Sequence, residues 1–148
     1  MISLNSFFFT CHSSNLLHFN LSKQPASDFL TKEEKMVRAA HLLIKHTGSR
    51  NPVSRRTNEE VILSPEQAHA ELQHYEQKII QEGIHEAFPK YCNLRSDCSS
   101  YKQSGDLGDF DRGMMQKPFE DASFALEPGQ MSSIVSTDSG FHLIYRIS

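Results

Sequence analysis

The run Val37-Arg38-Ala39-Ala40-His41-Leu42-Leu43-Ile44-Lys45 alternates side chains between two faces, as a β-strand requires. His41, Leu43 and Lys45 fall on one face, with Leu42 and Ile44 on the other. The end of the chain answers it. After a turn at residues 137–140, Phe141, Leu143, Tyr145 and Ile147 share one face, opposite His142, Ile144 and Arg146. Two strands at the two ends of one stretch of chain, each carrying a histidine, frame everything between them.

Outward from the first strand, residues 47–60 are polar and hold Gly48 and Pro52. This is a long loop, and long loops inside compact domains are disproportionately functional. A helix follows with strong punctuation. Ser64 can cap it, Pro65 suits its first position, and Gln67 stands where a capping-box partner belongs. Ala68, Leu72, Tyr75 and Ile79 then form one apolar stripe, and Gly83 ends the helix. A shorter helix is expected over residues 89–95, with Pro89 in its first turn because an interior proline disrupts the backbone ladder. A short strand is expected at 107–111, a helix at 118–126, and strands at 131–135 and 141–147. The order βαα(α)βαββ predicts an α+β domain with a four-stranded, mainly antiparallel sheet flanked by about four helices.

Length and composition bound the rest. A chain of 148 residues, 38% hydrophobic and 22% charged, suits one soluble domain. Residues 1–35 are rich in Ser, Asn and Phe without sustained periodicity, and read as a poorly ordered N-terminal extension. Residues 36–148 are then the functional domain. A net charge of −3 gives no basic excess for nucleic-acid binding, although it leaves room for one local basic pocket. No apolar run approaches the roughly 20 residues that span a bilayer, so no membrane partner is expected. Three cysteines, Cys11, Cys92 and Cys98, have neither a paired framework nor metal-ligand spacing, which points to a reducing compartment.

The chemistry-bearing side chains admit several readings on their own. His41 and His142 could face one side of the same sheet, either as hydrogen-bonded core histidines or as part of a site. Cys98, within Ser96-Asp97-Cys98-Ser99-Ser100, is a small buried hydrophobe, a nucleophile beside histidine, or a zinc ligand with both histidines. Lys45, Arg50, Arg55 and Arg56 gather around the long loop of a mildly acidic protein. Guanidinium groups grip phosphate bidentately and an ammonium serves as a point charge, so a pocket for one phosphate fits them.

Five segments together resemble the parvulin-type peptidyl-prolyl cis/trans isomerases. They are the opening strand with Lys45-His46, then Ser96-Asp97-Cys98-Ser99-Ser100, Gly105-Asp106-Leu107-Gly108, the run from Gln116 to Leu126, and Thr137-Asp138-Ser139-Gly140-Phe141-His142-Leu143-Ile144. Each is weak alone, and five in order with fitting spacing are specific. The resemblance covers residues 37–148 and implies a parvulin-like (FKBP-like) fold that works without cofactor or metal. It implies that Leu107, Met115 and Phe119 hold the proline ring, while His41, Cys98, Ser139 and His142 form a polar floor under the amide and Gln116 supplies a further hydrogen bond. The basic loop resembles that of the branch acting on phosphoserine- or phosphothreonine-proline, with Lys45 and Arg50 at its phosphate-binding positions. That branch often has two adjacent arginines, and here the second position is Asn51, leaving Arg55 and Arg56 to supply the missing charge. The chain has no tryptophan and so resembles the members without a WW domain. Implied with this are phosphorylated protein partners, a monomer, and a nuclear and cytoplasmic location. Rivals are a phosphopeptide-binding module with little turnover, an isomerase without strict phosphate requirement, a cysteine hydrolase, and a zinc enzyme on His41, Cys98 and His142.

Overall fold

A computed structural model describes residues 36–148, and the extension expected at 1–35 lies outside the described residues. Eight elements follow one another. They are β1 (Met36–Ile44), α1 (Pro65–Glu82), α2 (Ile84–Arg95), a 3-10 helix (Ser99–Gln103), β2 (Asp106–Asp111), α3 (Lys117–Ala125), β3 (Val135–Thr137) and β4 (Gly140–Arg146). The strands form one sheet in the order β2-β1-β4-β3, and every pairing is antiparallel. The expected helix number of about four is slightly high, since three α-helices form and the remaining turn is a 3-10 helix.

The first and last strands lie side by side at the centre of the sheet. Leu42 faces Leu143 and Ala40 faces Tyr145, so their side chains leave from one face. There they meet Ala68, Leu72 and Ile79 of α1 and Phe88 and Tyr91 of α2 in the larger core. The opposite face carries Val37, Ala39 and Ile144, covered by Phe110 and by Phe119 of α3. Each fully buried aliphatic or aromatic side chain contributes roughly 1.5–3 kcal/mol. Both faces of the central pair are therefore covered. The alternation read from sequence places His41 and His142 on the α3 face.

Local chemistry sets the helix ends. Ser64 Oγ accepts from Gln67 N at 3.2 Å, and Gln67 Oε1 accepts from Ser64 N at 2.9 Å, completing the capping box. Gly83, with φ of 100°, ends α1 and at once precedes α2.

Two elements depart from the sequence expectation by more than one residue. The second helix starts at Ile84 rather than 89, with Pro89 inside it. Burial of Ala87 and Phe88 upstream, and of Tyr91 and Cys92 downstream, outweighs the one backbone hydrogen bond that the proline forgoes. The expected strand at 131–135 is displaced to Val135–Thr137, and Met131 makes only an isolated bridge to Tyr145. Ser132 explains the interruption. Its hydroxyl, rather than a main-chain carbonyl, accepts Ile144 N at 3.0 Å. No helix among the described residues is long and apolar enough to cross a membrane.

Candidate active site

Three segments meet at one end of the sheet. They are the loop after β1, the segment between α2 and the 3-10 helix, and the β3–β4 turn. Arg50 N donates to Asp138 O at 2.7 Å, which ties the first to the third. Asp97 N donates to Leu43 O at 2.8 Å and Arg55 N to Asp97 O at 2.9 Å, which ties the second to both β1 and the loop.

His41 and His142 sit next to one another on the α3 face, both buried. Their rings stack with centroids 5.2 Å apart, and their Nδ1 atoms are 3.0 Å apart. His142 Nε2 lies 2.7 Å from Thr137 Oγ1, which also accepts Ser139 N at 3.1 Å. Burial first, and then the neighbouring His41, hold the His142 imidazole well below its ordinary value, so it is neutral at physiological pH. His41 Nε2 is buried and has no partner of regular hydrogen-bond geometry. The ring nevertheless acts on the Cys98 thiol. Burial would push that thiol up, but His41 and Ser100 outweigh burial and bring it down to about 6. Cys98 is therefore largely thiolate at neutral pH.

Two clefts open on this polar group. One, of about 270 Å³, is lined by Leu107, Met114, Met115 and Phe119, with His41 and His142 at its base. Phe119 presents its ring edge-on to both histidines, at 5.5 and 5.3 Å. Glu120, buried on α3, accepts from Gly113 N and so fixes the turn that carries both methionines. The second cleft, of about 250 Å³, holds Lys45, Arg50, Asn51, Arg55 and Cys98. Arg50 and Ser139 line both clefts, so the two are contiguous. Gln116 spans the edge, donating from Nε2 to Ser139 Oγ at 3.0 Å and accepting Asp138 N at 3.1 Å.

This chain matches the protein family described as "Rotamase: PPIC-type PPIASE domain" over residues 41–148. It belongs to that family. These isomerases are the parvulins, and the chain is a peptidyl-prolyl cis/trans isomerase. It is 50% identical over 113 residues to the peptidyl-prolyl cis-trans isomerase NIMA-interacting 1 of Theileria annulata, covering 76% of this chain and 80% of that protein. Among solved structures, it is similar to TbPIN1 with a TM-score of 0.70 and 49% identity, covering 78% of this chain and 99% of that one. It is also similar to the peptidyl-prolyl isomerase ESS1 of Candida albicans, with a TM-score of 0.74 and 36% identity over 79% of this chain and 65% of that one.

The parvulin fold thus gathers almost every residue singled out from the sequence. His41, Cys98, Gln116, Ser139 and His142 surround one floor, Leu107, Met115 and Phe119 one apolar cleft, and Lys45, Arg50 and Arg55 one basic cleft. Arg56 is the exception. It lines a separate groove with Glu59, Glu60 and Glu71, because successive loop residues turn to opposite sides. Among the described residues, no group of three or more His, Cys, Asp or Glu could hold a metal ion. His41 and His142 face each other through their Nδ1 atoms. Sequence reasoning missed Thr137, Asp97 and Arg95. Thr137 and Asp97 stood inside two of the five segments without an assigned role. Arg95 looked like an ordinary basic residue near a helix C-terminus.

Proposed function

We propose that this isomerase acts on proline bonds that follow phosphorylated serine or threonine, in phosphorylated partner proteins. The observation that carries the reading is the contiguity of the two clefts. An apolar pocket suited to a saturated ring adjoins a pocket of three cations, and the phosphorylated residue, bonded directly to the proline, would cross the shared Arg50–Ser139 border.

Turnover requires no bond to break. The amide loses its partial double-bond character against a barrier of about 20 kcal/mol, and the enzyme needs to bind the twisted amide better than either planar form. In this reading Leu107, Met115 and Phe119 hold the ring, while Lys45 and Arg50 belong to the phosphate site. Rotation then occurs about the bond between two fixed ends. Cys98, His41, His142, Ser139 and Gln116 provide a preorganised polar surface beneath it. A noncovalent twist fits a cysteine whose charge is already stabilised by its surroundings.

The test is a matched pair of peptides, phosphoserine-proline and serine-proline, followed by exchange NMR. Acceleration of the phosphorylated peptide at least about tenfold over the plain one, a difference of about 1.4 kcal/mol, is expected for one charge-assisted clamp. Equal rates would overturn phosphate preference and leave an isomerase indifferent to it. We further propose a nuclear and cytoplasmic location, which rests on the family resemblance alone and which a fluorescent fusion would check.

A further inference from the structure

Three cations share the basic cleft, and their geometry divides their labour. Lys45 is buried, and its Nζ donates to Asn51 O at 2.9 Å and to Val53 O at 2.7 Å. An ammonium has three donors, and two of these are spent on loop carbonyls. Lys45 is thus a strut that shapes the loop from beneath. Burial, followed by the nearby Arg55, lowers its proton affinity, which fits an interior position beside a second cation.

Arg50 and Arg55 differ from it in every respect. Both are exposed, neither forms an ion pair among the described residues, and both line the cleft. Their main chains are pinned on different supports. Arg50 N is held by Asp138 O of the β3–β4 turn, and Arg55 N by Asp97 O beside Cys98. Unneutralised guanidinium groups held near a buried ammonium repel one another, and an anion between them relieves that cost. Asn51, at the position next to Arg50, contributes an amide but no charge, and its carbonyl is already taken by Lys45.

We propose that Arg55 is the second guanidinium of the phosphate clamp, binding a phosphomonoester dianion together with Arg50 while Lys45 holds the loop. The proposal rests on the phosphate reading above and deepens it. Two planar forks set on separate supports match a dianion with three terminal oxygens better than a single carboxylate. The clamp therefore selects phosphoserine over its glutamate mimic.

The experiment measures kcat/KM on phosphoserine-, serine- and glutamate-proline peptides for wild type, Arg50→Ala, Arg55→Ala, Arg55→Lys, Arg56→Ala and the double variant N51R/R55A. Arg55→Ala should lose about tenfold on the phosphopeptide, mainly through KM, a loss at least about fivefold greater than on serine-proline. Arg55→Lys should recover part of that loss, and adding an arginine at position 51 should recover more. Arg56→Ala should stay within about twofold of wild type on all three peptides. Equal loss on phosphorylated and plain peptides, or an equal effect of Arg56→Ala, would overturn the assignment. A phosphate preference that survives Arg55→Ala but falls in Arg50→Ala overturns it too, leaving the broader reading intact. No phosphate preference in wild type removes both.

Discussion

At the scale of single residues, the chemistry turns on the proton inventory around Cys98. His142 meets Thr137 Oγ1 through Nε2 and His41 through Nδ1, which leaves His41 Nε2 as the ring nitrogen on the side of the sulfur. Burial keeps His142 neutral, and the neighbouring His41 ring and Ser100 favour the anionic form of Cys98. The Cys98 thiol, lowered to about 6 in the folded protein, should be alkylated by iodoacetamide with a pH profile whose midpoint lies near 6. A midpoint near the ordinary thiol value would contradict the arrangement. Linkage gives a second readout. The folded state binds fewer protons than the unfolded chain between the folded value of about 6 and the ordinary value of 9, so stability rises with pH across that window. The Cys98 contribution is fully present above the unfolded value and is lost as pH falls through about 6, and Cys98→Ser should flatten that rise. Cys98→Asp keeps a negative charge without a nucleophilic sulfur. Its isomerase activity should stay within about tenfold of wild type, because the preferred twist uses charge rather than attack. Complete loss in a folded Asp variant would favour covalent chemistry instead.

At the scale of elements, the site depends on how its loops are fastened. Asp97 is the hub. Its buried carboxylate accepts Lys45 N at 3.0 Å, Ser54 Oγ at 2.6 Å and Arg95 Nη1 at 3.0 Å. Arg95 is held in turn by Glu71 of α1, at 2.5 and 3.1 Å. Both helices thereby brace the basic loop through one carboxylate. Arg95→Met removes the charge that compensates a buried anion, and should cost about 2–4 kcal/mol in a denaturant titration. Because Asp97 also holds the Arg55 backbone, phosphopeptide KM should rise more than plain-peptide KM, which a uniform loss of folded protein cannot produce. Gly105 is a second fastening. With φ of 82°, its missing Cβ would lie 2.5 Å from His41 O and 2.8 Å from Cys92 Sγ. Gly105→Ala therefore pushes directly on the strand carrying His41, and should cost about 1–3 kcal/mol of stability together with activity. Wild-type melting and turnover in that variant would show the contact to be slack.

These fastenings also show what sequence could and could not reveal. The α1 capping box was legible because its two residues, Ser64 and Gln67, act within one turn, as was the two-face alternation of β1 and β4. The start of α2 was not. Pro89 is a strong local signal, and only tertiary burial of Ala87 and Phe88 overrides it. The β3 boundary failed for a related reason, since a serine hydroxyl substitutes for a ladder carbonyl and leaves no periodic trace. Site membership was readable mainly through the five segments in order. Their division into clefts was not, because Arg55 and Arg56 are adjacent in sequence yet line different grooves.

At the scale of the whole molecule, the sheet's centre joins the two ends of the described chain. Arg38 N donates to Ser148 O at 3.0 Å, and Ile147 N to Arg38 O at 2.8 Å, extending the β1–β4 register to the last residue. Such pairing closes a loop of the whole domain before it is rewarded, so no shorter piece carries a complete core. The described residues 36–148 lie within one compact unit. A fragment of residues 36–148 should accordingly fold cooperatively, melt within a few degrees of the full chain, and keep kcat/KM within about twofold on the phosphopeptide. Removing residues 141–148 instead strips β1 of its central partner and takes Leu143 and Tyr145 from the larger core and Ile144 from the smaller one, so circular dichroism should show no cooperative transition. A fragment that folds but loses turnover would assign residues 1–35 a part in catalysis. A C-terminal deletion that still melts cooperatively would place the fold's closure elsewhere than in this strand pair.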